Sequence, residues 1–396
     1  MTKIIDEAEV VIIGGGIMGC STAYQLAKAG MQVTLVERDT ICSGATARTG
    51  GAVRQQWRGP NELVLAMESV KLWKNLDEEL DCDTEYTQGG HFFVLDSERE
   101  VEQFREIHEF QRQHGLECEI LEPSEVQKIC PILKPNFVAV SHCPTDGHAN
   151  PFRTTHGFAI AAARLGARIM TGTEVKSIAH DHDEIESVTT SRGTIRTGKI
   201  VNAAGPWSMQ IGHVLGLEIP VKPSKQQQII TEPLPPVVEQ FVTRLSIGLY
   251  FRQCKSGSLQ IGLHLDPFGL WRETLEEGYS LPEAEAETLD HISTFNPLRE
   301  IPKRFLDAVT MPVLGECSAI RTWPGLYAMT PDLEPLLGEV PSLKGFYLVT
   351  GFSGRGYALG PIVGKLMAEL IVTGKTSIPL DKLSVTRFDS ASPAES

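Results

Sequence analysis

The chain has 396 residues, 41% of them hydrophobic and 22% charged, with 36 basic against 50 acidic side chains and a formal net charge of −14. That length suits two domains, and that charge argues against nucleic acid or an anionic membrane as the main partner. No run of about 18 apolar residues occurs, so no transmembrane segment is expected, and the acidic N-terminus does not read as a signal peptide.

The predicted elements begin with a short apolar strand, Val10 to Ile13, followed by Gly14, Gly16 and Gly19 and a helix carrying Tyr24, Leu26 and Ala27 on its face. "MQVTLVE" is the next strand and ends at Glu37, completing a βαβ unit. "SGATARTGGAVRQQW" is too rich in Gly, Thr and Ser for a regular helix. From Asp81 to His142 the character changes: strands around "GGHFFVL", a charged helix in "SEREVEQFREIHEFQRQHG", then a loop, "CPTDGHANPF". "RTTHGFAIAAARLGARIM" reads as a helix leading to a strand, "TEVKSI" and "IESVTT" as further strands, and "GKIVNAAGPWS" as an apolar strand ending at Gly205. Residues 211–319 mix strands and helices, with "EPLPPVVEQ" as a connector and "LPEAEAETL" as a short acidic helix start. The chain then returns to strand, loop and helix: Phe346 to Val349, "GFSGRGYALGP" at 351–361, and "IVGKLMAELI".

The nucleotide-type elements thus come from three separated pieces. The expected organisation is a cofactor domain made of 1–80, 145–210 and 320–396, with a substrate domain from 81–144 and 211–319. Eight cysteines, at 20, 42, 82, 118, 130, 143, 254 and 317, form no CxxC pair and read as reduced structural thiols of a cytoplasmic protein. "AHDHDE", residues 179–184, has metal-ligand residue types but lies between two strands, so it reads as a solvated hairpin turn, and no metal is expected. Tyr347, His91 and His148 are read as core or rim.

"GGGIMG" has G-x-G-x-x-G spacing between strand and helix, with an acid ending the next strand. The glycines let the backbone approach a pyrophosphate, the helix N-terminus supplies unpaired N–H groups, and Glu37 can accept from ribose hydroxyls. Two further stretches favour a flavin over a nicotinamide. "IVNAAGPWS" offers a second approach to the dinucleotide, and "GFSGRGYALGP" offers a helix N-terminus, expected near Gly354, that would stabilise negative charge on the ring.

Together with "RQQW", "PTDGHANPF" and "RTWPGLYAMTPDLEPLLG", these stretches resemble, over nearly the whole chain, the D-amino acid oxidase and sarcosine oxidase (DAO) family of FAD enzymes. Within it they are similar to the FAD-bearing β-subunit of L-proline dehydrogenase and to sarcosine oxidase β-subunits. The resemblance implies an α/β fold: a Rossmann-like FAD-binding domain of the glutathione-reductase type with an inserted antiparallel-sheet α+β substrate domain. It implies oxidation of an amino acid or N-alkyl amino acid by hydride transfer to FAD.

Carried over position by position, it implies cofactor contacts at Gly14, Gly16, Gly19, Glu37, Arg38, Arg48, Gly50, Gly51, Val175, Ala204, Gly205, Gly351, Phe352, Ser353, Gly354 and Gly356. It implies catalytic roles for Arg54, Tyr250, Tyr327 and Arg355, with Arg54 holding the substrate carboxylate through its bidentate fork.

Departures from the family refine this. Tyr327 stands where D-amino acid and glycine oxidases keep a carboxylate-binding arginine. Gly325 replaces the cysteine that attaches FAD, and Pro151 falls where a histidine links FMN, so FAD is expected to be non-covalent. Gln260, in the strand before His264, replaces an oxygen-activating lysine, and Ala358 replaces a lysine that grips the carboxylate. A dehydrogenase is therefore expected over an oxidase. A peroxide-producing oxidase and a flavin-bound assembly or scaffold protein stay open as alternatives, the electron acceptor is unknown, and the resemblance allows a hetero-oligomer with electron-transfer subunits.

Overall fold

The computed structural model describes residues 3–263, 305, 308, 309 and 318–388. Cys317, His264, the acidic "LPEAEAETL" stretch and the last residues of the C-terminal segment lie outside the described residues.

A six-stranded sheet runs in the order Leu336–Glu339, Phe346–Thr350, Ile200–Asn202, Val10–Ile13, Val33–Val36, Arg168–Met170. Every neighbouring pair is parallel except the first, which is antiparallel. Its central strands are buried throughout and mostly apolar because both faces are covered. Val10 and Ile12 pack toward the helices Ile17–Lys28 and Gly360–Thr373, while Val11 and Ile13 pack against Ile178, Val188 and Ile195 of a second sheet.

That second sheet is four-stranded: Ile4–Glu7, Gly193–Arg196, Glu184–Thr190, Val175–Asp181. The pair Asp181↔Glu184 closes its hairpin, with His182 in the left-handed region at φ 51°. The "AHDHDE" residues are exposed there, and no metal-holding cluster occurs among the described residues.

An eight-stranded sheet runs in the order Ala319–Met329, Lys222–Pro233, Ser258–Leu263, Leu249–Gln253, Phe241–Arg244, His91–Leu95, Ala139–Cys143, Glu119–Leu121. It is antiparallel except for one parallel pair, Phe241–Arg244 beside His91–Leu95. The Ala319–Met329 strand belongs to this sheet, so the boundary expected at 319/320 falls inside a strand.

The two faces of this sheet differ. Phe92, Val94, Val242, Leu249 and Phe251 join Ile261, Phe305 and Val309 in one core. The alternate residues His91, Phe93, Phe241, Thr243 and Tyr250 turn the other way and wall a cavity. Gly262 lies opposite Tyr250, and a Cβ there would sit 2.0 Å from the tyrosine ring, so its lack of a side chain makes room for that phenol.

The helix expected near Gly354 begins later. A 3-10 turn spans Tyr357–Leu359 and the α-helix starts at Gly360. Gly354 at φ 81° and Gly351 at φ 72° bend the chain first, so the segment over the site is a turn.

Candidate active site

Two cavities meet between the sheets. The larger, about 380 Å³, is lined by the first glycine loop, the end of the Val33–Val36 strand, the Ala203–Trp207 turn and the late loop. Gly14 has φ 115°, and a Cβ on it would lie 2.4 Å from the Ala203 carbonyl oxygen, so only glycine lets these two strands come this close. A Cβ on Gly19 would lie 1.9 Å from the Gly14 carbonyl, which explains the third glycine as a helix-packing position. The Ile17–Lys28 helix has Gly16 as its N-cap with no side-chain cap bond, and no acidic residue in its first turn. Such an end favours an anion. The Thr46 hydroxyl accepts the Ile17 N–H at 3.1 Å.

Glu37 accepts from the Gly15 N–H at 2.7 Å and from the Asp39 N–H at 2.8 Å. Each carboxylate oxygen keeps a further lone pair for a hydroxyl. Arg38 and Val175 line the groove beside it, and the Arg38 guanidinium lies 5.0 Å from the Trp207 ring. Ala204, Gly205, Gly351, Phe352, Ser353, Gly354 and Gly356 line it too. A groove with a helix N-terminus free of acidic side chains and a carboxylate at the end of the second strand fits a dinucleotide. The groove has neither cysteine nor histidine in its lining among the described residues.

Three positions expected to contact the cofactor do not line this groove. Arg48 donates to the carbonyls of Ser43 and Gly44 and lines neither cavity. Gly325 packs against it, and a Cβ there would lie 2.8 Å from the Arg48 Cβ. Gly50 lines the second cavity, and Gly51 lines neither and lies beside Ala149 and Arg252.

The second cavity, about 60 Å³, shares Thr49, Tyr327, Gly354 and Tyr357 with the groove. Arg54 is buried in its wall. Its Nη1 donates to the carbonyls of Gln56 at 3.1 Å and Trp57 at 3.2 Å, and its guanidinium lies 5.1 Å from the Trp57 ring and 5.3 Å from the Phe93 ring. It has no carboxylate within ion-pair distance among the described residues. Burial, and then the nearby Arg58, push its pKa well below the usual arginine range. Asp146 and Glu62 act on it only from beyond ion-pair distance, and a buried guanidinium with no carboxylate in direct contact is a strong anion site. Trp57 has φ 56°, unusual for a bulky residue, and that backbone helps aim its carbonyl at Arg54.

Arg355 also lines this cavity, but its charge is engaged elsewhere. Nη1 lies 3.1 Å from Glu62, and Nη2 donates to the Leu333 carbonyl. Glu62 also meets Arg58 at 3.2 Å, and Arg58 donates to the carbonyls of Arg54 at 3.4 Å and Arg355 at 3.0 Å. The buried Glu62 thus joins the early arginine loop to the late glycine loop. Tyr250 and Tyr327 are both raised above the usual phenol range, chiefly by burial, and stay protonated. Tyr250 stacks on Phe241 at 6.0 Å.

Gln260 donates to the Thr49 carbonyl at 2.8 Å and to Gln228 at 2.6 Å. The Ala358 carbonyl accepts from Ser69 at 2.6 Å and from Trp73 at 2.8 Å. Residues not foreseen from the sequence include Trp57, Glu62, Phe93, Phe241 and Thr243. His91, read as core or rim, is both buried and part of the cavity wall.

Residues 9–370 match the model of a family described as FAD dependent oxidoreductase (DAO). The chain is 29% identical over 390 residues to mitochondrial dimethylglycine dehydrogenase of Mus musculus, an alignment covering 97% of this chain and 44% of that one. The chain therefore spans less than half the length of the first curated relatives it matches. It is 26% identical to sarcosine oxidase subunit beta of an Arthrobacter species, covering 96% of this chain and 91% of that one. Among solved structures, L-proline dehydrogenase from P. horikoshii superposes with a TM-score of 0.88 at 35% identity, covering 98% of this chain and 99% of that one. A family match across this span, joined to a relative of this identity over both full chains, makes the chain a member of the DAO family of FAD dependent oxidoreductases.

Proposed function

We propose that the chain oxidises the carbon–nitrogen bond of a small amino acid or N-alkyl amino acid, giving an imine. The carrying observation is Arg54: a buried guanidinium with no partner carboxylate, in a small aromatic-walled cavity adjoining the cofactor groove. FAD, bound without a covalent link in the groove of Gly14, Gly16, Glu37 and the Gly351–Gly356 loop, would supply the acceptor for the hydride.

In this reading Arg54 holds the carboxylate and its position is set by the carbonyls of Gln56 and Trp57. The two positive charges of Arg54 and Arg58 disfavour an ammonium, so the amine binds neutral. Tyr250, Tyr327 and Phe241 exclude water and orient the substrate. Arg355 is a positioning residue that acts through Glu62. The six-stranded sheet serves as the cofactor half and the eight-stranded sheet as the substrate half.

A dehydrogenase is favoured over an oxidase because by resemblance Gln260 takes the place of an oxygen-activating lysine, and its neutral amide is hydrogen-bonded to Thr49 and Gln228. The name of the sarcosine oxidase subunit beta supports a hetero-oligomer with an electron-accepting partner. The seven described cysteines are free thiols, which supports a reducing compartment such as the cytoplasm. No described helix is long and apolar enough to cross a membrane.

The test is anaerobic addition of proline, sarcosine, hydroxyproline and opines to the purified yellow protein. At least one should discharge the visible absorbance, which should return slowly in air. No response to any of them would favour the scaffold reading, and an immediate return of colour would favour the oxidase.

A further inference from the structure

Resting on that reading, we propose that His91 is the second anchor of the substrate: its Nδ1 accepts a hydrogen bond from the amine N–H while Arg54 holds the carboxylate. The imidazole lines the cavity together with Arg54, yet is almost wholly buried, at 2% exposure. Nε2 lies 2.9 Å from the Thr243 hydroxyl, and the His91 carbonyl accepts from the Gln56 side chain at 2.7 Å. Nδ1 is buried and has no hydrogen-bond partner among the described residues. A buried polar atom left unpaired in a residue that walls a cavity calls for a ligand group or an ordered water.

The ring cannot easily turn to find a partner elsewhere. It stacks on Phe93 at 4.6 Å and 9°, and Phe241 packs at 4.8 Å. It is also neutral. Burial, then Arg54, His142, His148 and Arg58, hold its pKa well below the usual histidine range. A neutral imidazole has one donor nitrogen and one acceptor nitrogen. In the tautomer we assign, Nε2–H donates to the Thr243 oxygen; Nδ1 is then the acceptor, which suits an amine N–H and does not suit a second carboxylate. Two anchors of different chemistry on either side of the α-carbon would fix how that carbon faces the groove, which a lone arginine cannot do.

The experiment compares ligand pairs that differ only in the N–H: L-proline with tetrahydrofuran-2-carboxylate, and sarcosine with methoxyacetate. Binding to the FAD-loaded protein is read from the ligand-induced shift of the visible spectrum, anaerobically, with KM measured wherever turnover occurs. His91→Phe keeps an aromatic ring but removes the acceptor, and should weaken the amines about tenfold while leaving the ether acids within about twofold. His91→Asn, which restores an acceptor, should recover part of the loss. Equal losses for both members of a pair, or no loss for either, would overturn the assignment. If His91→Phe does not fold, Thr243→Val tests the same point, because it removes the group that sets the tautomer. It should weaken the amines selectively by about threefold, and a loss shared by the ether acids would reject the proposal. Failure of every amine to be oxidised by the unaltered protein would instead overturn the functional reading, and the binding comparison would still decide His91.

Discussion

The groove and the cavity it meets are built by opposite means. The groove is made of backbone: glycines at 14, 16, 205, 351, 354 and 356, in turns whose own residues supply the geometry. The cavity is made of side chains from strands far apart in sequence, with Phe241↔His91 and Thr243↔Tyr250 in register. At Gly14 the groove tolerates no added atom, because the Ala203 carbonyl of a distant strand end lies against it. The cavity depends on pairing across about 150 residues and on a buried charge network, and its chemistry would change with a single side chain.

The sharpest way to break this contrast is at Gly14. Gly14→Val should abolish FAD retention, read as flavin absorbance per purified chain, because the new Cβ meets the Ala203 carbonyl at 2.4 Å and φ is 115°. A fully loaded variant would refute the backbone account of the groove.

On the cavity side, Arg54→Ala should lower kcat/KM for amino acid substrates by about 10²–10³, the loss of a charged anchor of roughly 3–4 kcal/mol. Simple amines should be affected far less, and equal effects on both would remove Arg54 from carboxylate binding.

Glu62→Gln should destabilise the fold by roughly 3 kcal/mol, since it leaves Arg58 and Arg355 facing each other without their buried counter-charge. Chemical denaturation measures this. A neutral result would mean that the two loops are held by their backbone bonds instead.

A smaller effect concerns pH. His148 is depressed to about 3 by burial and Arg252, and His91 is depressed as well. The unfolded chain binds more protons than the folded one below about pH 6.5, so stability should fall as pH drops from there toward about 3, by about 1.4 kcal/mol per unit for His148, with His91 adding in the same direction. His148→Asn should flatten that slope in melting curves taken across the range.

The smallest effect is expected at the surface hairpin. Replacing His180 and His182 by alanine should change neither melting temperature nor activity, with or without added zinc. A zinc-dependent shift in melting would reopen the metal reading of "AHDHDE".

The two regions also differed in how far they could be read. The glycine loop, Glu37 and the Gly351–Gly356 turn were legible because each is a local pattern with a local cause. Gly19 was legible too, although its reason turned out to be contact with the Gly14 carbonyl. Arg54 came from resemblance, and the structure adds that no carboxylate among the described residues lies within ion-pair distance of it, Asp146 and Glu62 acting from farther away. His91 and Phe93 were not legible as cavity residues. All five residues of His91–Leu95 are buried, so the strand has no polar face to say which side turns to the site. Arg355 was read as catalytic for its place in the glycine loop, and nothing local foretold its bond to Glu62, 293 positions earlier.

By itself, then, the sequence determined where the backbone must bend and where a helix must begin, because φ above zero and a helix start are properties of a few consecutive residues. Only the tertiary structure decided which side chains share the cavity. Sheet register sets which alternate residues face inward, and register is fixed by pairing between strands that the chain order does not make neighbours.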